Sequence, residues 1–347
     1  MQLKTSYVHY FSVLKVLAMI SVVCIHTFAA ITGKYCTILS KFEVGFGEFI
    51  FQVLQAWAVP VFTMVSGALF LDKNRDIPLE KFYKKYILRL VLILLSFGTL
   101  YALMELVFTA HSINFKIILL AFRNVYSGKL WNHMWFLYMI IGLYIVTPFL
   151  KKFLESASSK DVIYTLIILL IFSCIEPLIN EITGIKFGVY IPFNTIDLFF
   201  YLLGYSIHNE IIKIKDIFSI VMIIAGILWC LIGQFIPGML DIYVDGNMSL
   251  KYSWFFGVFM AIGIFSLAKS KCNVEVNWID TKIVPLSLGV YVIHPLFINI
   301  FYKVLHFTPD YYNVWFCWIF VLLVTLASSL LAIWLLRKIP LVRKWIL

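Results

Sequence analysis

Apolar residues gather along this chain into long runs separated by short charged clusters. Ten such runs stand out, at 10–31, 49–71, 87–108, 132–150, 162–180, 194–208, 217–236, 250–268, 284–305 and 314–336. Crossing a bilayer as an α-helix takes roughly 20 mostly apolar residues, so ten spans would use most of the chain and leave short loops. No long polar linker, low-complexity tract or clear short repeat interrupts the pattern. It predicts an all-α fold, a polytopic membrane helix bundle of about ten transmembrane helices, with a single domain over 1–347 and no soluble domain. The sixth run, Asn194 to His208, is short, and losing it would change the topology of everything after it. The first, around Val13 to Ala30, has the apolar centre of a signal peptide. Lys15 and His26 sit within it and many more spans follow, so a retained helix is expected.

Composition narrows the class. Of 347 residues 62% are hydrophobic and only 13% charged, with a mean hydropathy of +0.95. A water-soluble globule usually carries about 25% charge and is excluded. The formal charge of +10, from 28 Lys and Arg against 18 Asp and Glu, would suggest nucleic acid in a soluble chain. In a membrane chain it encodes orientation, because short cytoplasmic loops collect Lys and Arg. With the N-terminus inside, 18 of these residues fall on the cytoplasmic side. Six fall opposite: Lys34, Lys41, Lys116, Arg123, Lys129 and Lys186. Both termini are therefore expected in the cytoplasm, with no nucleic-acid partner, and omitting the sixth run would scramble the bias. The six cysteines form no C-x-x-C pair and no metal-like cluster, and read as packing residues with no metal expected.

Ionisable residues inside spans carry the candidate chemistry, since each costs at least roughly 2.5–3.5 kcal/mol at the bilayer centre. Lys15 and His26 share the first helix, eleven residues apart. At about 100° per residue that separation brings them onto one face, about 16 Å apart along it. Singly, Lys15 reads as a snorkelling residue and His26 as an imidazole bonded to a neighbouring helix. Together, a cation near the cytoplasm and a titratable ring deeper in suit an elongated anionic ligand entering from inside. In the second helix, Pro60 provides a kink, and Ser66-Gly67 reads either as a helix contact or as a place where backbone approaches a ligand. Lys84, Lys85 and Arg89 would join Lys15 in a basic cytoplasmic mouth, explained either by a phosphate-rich ligand or by topology and anionic membrane lipids. At the expected outer ends, Glu105, His133, Glu176 and Asp197 accompany Trp131, Trp135 and Tyr138. Such a set fits an interfacial aromatic belt or a carbohydrate site.

Several strings resemble one family. They are Leu14-Lys15-Val16-Leu17-Ala18 followed by His26; Val59-Pro60-Val61-Phe62 with Ser66-Gly67; and His133-Met134-Trp135-Phe136-Leu137-Tyr138 with Tyr144 and Pro148. Phe200-Tyr201-Leu202-Leu203-Gly204-Tyr205 and Ser287-Leu288-Gly289-Val290-Tyr291-Val292-Ile293-His294 complete the order. They resemble the membrane-bound acyltransferase-3 family over nearly the whole chain, in the branch that O-acetylates bacterial surface polysaccharides. The resemblance implies a multi-pass enzyme of the bacterial inner (cytoplasmic) membrane. It would move an acyl group, usually acetyl, from cytoplasmic acyl-CoA (acetyl-CoA) to a hydroxyl of an extracytoplasmic or lipid-linked glycan.

In that family a basic residue, ten arbitrary residues and a histidine mark the first helix, and Lys15 and His26 match it. Arginine is commoner at the first place; lysine keeps the charge and loses the bidentate fork. Ser12 stands where the family often has aspartate, and Tyr86 where another arginine is often found. By the same resemblance, CoA phosphates would rest on Lys15, Ser66, Lys84, Lys85 and Arg89. His26 would act as general base or accept the acyl group itself. Ser66 and Tyr291 would orient the thioester oxygen, with His294 a second proton acceptor or a structural histidine. Glu105, His133, Trp135, Tyr138 and Asp197 would face the glycan. The alternative from another class is a secondary transporter or flippase for an anionic metabolite or lipid-linked sugar; against it, no convincing pair of broken helices in inverted repeats is found.

Overall fold

The computed structural model describes residues 8–75, 77–112, 114–185, 188–189, 191, 195–235 and 255–346. Lys4, Lys186, Asn194, Lys251 and the edges of two expected runs, at 236 and 250–254, lie outside the described residues. The fold is a polytopic helical membrane bundle with no strand among the described residues. In chain order its helices are α1 (His9–Tyr35), α2 (Lys41–Phe70), α3 (Leu79–Ala110), α4 (Phe115–Tyr126), α5 (Asn132–Ser156) and α6 (Ser159–Asn180). They continue with α7 (Ile196–His208), α8 (Asp216–Phe235), α9 (Phe255–Lys271), α10 (Ile279–Val304), α11 (Val314–Leu336) and α12 (Pro340–Trp345).

Among the described residues, eight helices are long and apolar enough to cross a membrane: α1, α2, α3, α5, α6, α8, α10 and α11. The sixth and eighth expected runs are occupied by α7, of 13 residues, and α9, of 17. At 1.5 Å per residue α7 rises only about 20 Å. Every residue from Phe199 to Ile207 in it is buried. A helix that is apolar all round belongs in an interior, so its shortness and its composition have one explanation.

Polar caps move several helix starts away from the apolar pattern. Ser40 and Glu43 form a reciprocal capping box, Ser40 N–H donating to Glu43 Oε2 at 2.8 Å and Glu43 N–H to Ser40 Oγ at 3.2 Å. The box starts α2 at Lys41, ahead of the apolar run at 49. Ser158 and Asp161 open α6 in the same way. The amphipathic helix α4 lies where the pattern has only a loop, since 12 residues with one apolar side make no 20-residue run.

The chain divides into two compact units, one of Met1–Asp72 with Ser156–Leu331 and one of Lys73–Glu155 with Ala332–Leu347. In the first, α2 is the hub and packs against α1, α7, α8 and α9. Its crossing with α7 is backbone on backbone. A Cβ placed on Gly67 would stand 1.8 Å from the Tyr201 carbonyl oxygen, and one on Gly204 2.0 Å from that of Met64. Small residues at helix crossings are how membrane helices gain close van der Waals contact where no hydrophobic drive operates between them. At the C-terminal end of α1, Phe28, Ile31 and Tyr35 pack with Ile298 and Tyr302 of α10 and with Cys317, Trp318 and Val321 of α11. The Phe28 and Trp318 rings stack at 4.6 Å.

In the second unit α4 folds back along α3. The Tyr101 and Trp131 rings stack at 4.3 Å, and the Tyr138 hydroxyl donates to the Val125 carbonyl at the end of α4. Arg89 Nε donates to the Ile346 carbonyl at 3.3 Å, tying α3 to the C-terminal segment of the same unit.

Overpacking a tight core contact costs about 1–3 kcal/mol or more. Gly67→Ala and Gly204→Ala are each expected to lower the thermal midpoint of the detergent-solubilised protein. Gly142→Ala, whose Cβ would meet nothing within 4 Å, is expected to leave it unchanged. Equal midpoints for all three would remove the backbone crossing as a source of stability.

Candidate active site

The site is built on α1 and α10. Helix α1 runs without a break or a proline from His9 to Tyr35, so the helical register holds from Lys15 to His26 and keeps them on one face. Both side chains are partly exposed, while Leu14, Ala18, Val22 and Ile25 around them are buried. The His26 ring meets that of His294, with centroids 5.1 Å apart and planes inclined at 41°. His294 is fully buried, and Tyr291, one turn earlier on α10, is buried beside it, its ring 6.2 Å away.

A proline sets the chemistry of His294. In an uninterrupted helix the N–H of residue 295 would bond to the carbonyl of residue 291, but Pro295 has no N–H. The Tyr291 carbonyl instead accepts from His294 Nδ1 at 2.7 Å, with the Val290 carbonyl at 3.2 Å. A carbonyl only accepts, so Nδ1 carries a proton and is the donor. That bond holds the His294 ring in place next to His26.

Bonds on either side of the pair hold α1 against α10. Next to His26, the Thr27 carbonyl accepts from the Tyr302 hydroxyl at 3.2 Å. Near the start of α1, His9 Nδ1 lies 2.7 Å from Asp280 Oδ2, and Ser12 also hydrogen-bonds to Asp280. Ser12 is the position where the resemblance calls for an aspartate; here α10 brings the carboxylate to the same place. Tyr10, buried, has its hydroxyl 2.7 Å from His208 Nδ1 at the end of α7. Lys269 donates to the carbonyls of Ile207 and His208 at 2.8 and 3.0 Å, where a cation suits the negative end of a helix dipole. Sequence reading missed Asp280, Tyr302 and His208, which lie far along the chain from α1 and show no local motif.

The remaining expected residues are placed as follows. Ser66 is partly exposed on α2. Its neighbour Gly67 approaches the backbone of α7, so of the two readings of Ser66-Gly67 the helix contact is the one Gly67 serves. In the second unit Lys84 forms an exposed ion pair with Glu80 at 2.5 Å, and Lys85 lies 5.4 Å from the Tyr86 ring centre. Tyr86 accepts from Arg75 at 3.1 Å, so a guanidinium stands beside the tyrosine that replaces the family's arginine. His133 is buried, with its ring 5.6 Å from that of Tyr101 and 6.4 Å from that of Trp131. Trp135 is 42% exposed and Glu105 is exposed, while the Tyr138 hydroxyl is engaged by Val125. Asp197, in the first turn of α7, and Glu176, on α6, belong to the first unit, apart in the chain division from Glu105, His133, Trp135 and Tyr138.

Fold and site together define a polytopic membrane protein with two histidines from different helices set ring to ring in its interior. The family model described as an acyltransferase domain, that of the acyltransferase-3 family, matches residues 8–335. The chain belongs to that family and is a membrane acyltransferase. No curated protein and no solved structure matches it.

Removing one buried hydrogen bond typically costs about 0.5–1.5 kcal/mol. Tyr302→Phe, which deletes only the hydroxyl that reaches Thr27, is expected to lower the thermal midpoint modestly. A midpoint identical to wild type would mean that this bond does not hold α1 to α10.

Proposed function

We propose that this protein is an O-acyltransferase of the bacterial cytoplasmic membrane, with both termini in the cytoplasm. It takes an acetyl group from cytoplasmic acetyl-CoA and passes it to a hydroxyl of an extracytoplasmic or lipid-linked glycan. The observation that carries this reading is the His26–His294 pair, 5.1 Å between ring centres, on the helix face that also bears Lys15. A base held near the acceptor hydroxyl is what ester formation requires.

His26 takes the proton of the acceptor hydroxyl as its oxygen attacks the thioester carbon. The new C–O bond forms, the C–S bond breaks, and the His26 imidazolium returns the proton to the leaving CoA thiolate. Of the two roles open to His26, base and acyl acceptor, the reading takes the first. Ser66 and Tyr291 are assigned to the thioester oxygen. Lys15 is assigned to the CoA phosphates. The acceptor glycan is assigned to Glu105, His133, Trp135 and Tyr138, of which Trp135 and Glu105 are exposed.

The test is release of free CoA by the purified protein supplied with acetyl-CoA and acceptor membranes. General-base catalysis contributes about 10²–10⁴-fold, so His26→Ala is expected to lose at least about a hundredfold in turnover. Normal turnover in that variant would overturn the reading. Lys15→Ala is expected to raise the KM for acetyl-CoA severalfold with a smaller change in kcat; unchanged kinetics would return Lys15 to a snorkelling role. An acylated His26 trapped by rapid quenching would replace the base mechanism with a covalent one.

A further inference from the structure

The stretch between α3 and α5 has features that acyl transfer does not use. Helix α4 turns Ile117, Ala121 and Val125 inward. Its other side leaves Phe115 73%, Leu119 53%, Phe122 53% and Tyr126 92% exposed. Lys116 and Arg123, both exposed, are seven residues apart and so lie within about 20° of each other around the helix. An apolar stripe beside a basic one is the pattern of a helix lying in a membrane interface. The neighbouring end of α3 carries an open cleft of about 490 Å³ lined by Leu100, Leu103, Met104, Val107, Phe108 and His111. Its lining is one face of α3, apolar apart from His111. His111 ends α3 with a left-handed backbone, φ 48°, and α4 begins at Phe115, so the cleft and the basic stripe adjoin along the chain.

Charge identifies what the two together would hold. Between Glu105 and Glu155 the sequence contains no Asp or Glu, so Lys116, Arg123 and Lys129 have no carboxylate on their own segment. In the orientation proposed above these three are half of the six cations opposite the cytoplasm. The positive-inside bias disfavours them there, and topology gives no reason for them. We infer that α4 and the α3 cleft form a site for an anionic phospholipid. Lys116 and Arg123 hold its phosphate, Phe115, Leu119 and Phe122 dip into the apolar layer, and an acyl chain lies along the cleft.

The experiment measures lipids retained by the full-length protein in neutral detergent by native mass spectrometry, titrating phosphatidylglycerol against phosphatidylcholine. Each interfacial cation contributes a factor of about five in affinity for anionic lipid. Wild type is expected to prefer phosphatidylglycerol by about 25-fold, and Lys116→Gln/Arg123→Gln is expected to lose that preference while still binding acetyl-CoA. Met104→Trp, which fills the cleft, is expected to reduce retention of both lipids. Equal retention of the two lipids by wild type, or an undiminished preference in the double variant, would overturn the site. Displacement of phosphatidylglycerol by an equimolar isoprenoid phosphate would overturn phospholipid as its occupant. Lys116 and Arg123 are exposed, so the double variant is expected to fold, and an unchanged thermal midpoint checks it.

Discussion

The contact on which the first unit depends is the crossing of α2 and α7 at Gly67 and Gly204, where two helix backbones meet without side chains between them. Lipid tails are as apolar as leucine, so membrane helices associate through fit, and fit at this distance is available only where both partners lack a Cβ. Because α2 also packs against α1, α8 and α9, the crossing fixes the helix around which most of the unit is arranged. It also accounts for α7, a helix too short to span by itself that is stable because it is enclosed.

The histidine pair shows how a helix defect becomes a functional device. Pro295 deprives the Tyr291 carbonyl of its helical partner, and a bare carbonyl in a membrane interior is costly. His294 supplies the missing donor, and in doing so fixes its ring position against His26. One local sequence feature, histidine followed by proline, thus satisfies the backbone and positions a ring in the protein interior.

Two departures from the family pattern are met by residues from elsewhere in the chain. Ser12, in place of an aspartate, is bonded by Asp280 of α10, and Tyr86, in place of an arginine, is bonded by Arg75. In each case a charged residue from elsewhere in the chain bonds to that position. Electrostatics at a site depends on where a charge sits and hardly at all on which part of the chain carries it. A motif read along one helix therefore understates what that site contains.

The sequence by itself determined the membrane-spanning class, the long helices, the family and the Lys15–His26 register. The family follows from the resemblance of five short strings in order, and the rest from apolar run length, composition and helical periodicity, all local properties of the chain. Gly67 and His294 are two-sided in sequence, and α4 does not stand out there, because a short amphipathic helix leaves too few apolar residues in a row. The tertiary structure decided what touches what. Gly67 meets the backbone of α7, His294 meets His26, and Asp280 and Tyr302 reach back to α1. Those partners come from distant parts of the chain, and only the packing of α1 against α10 and of α2 against α7 brings them within bonding distance.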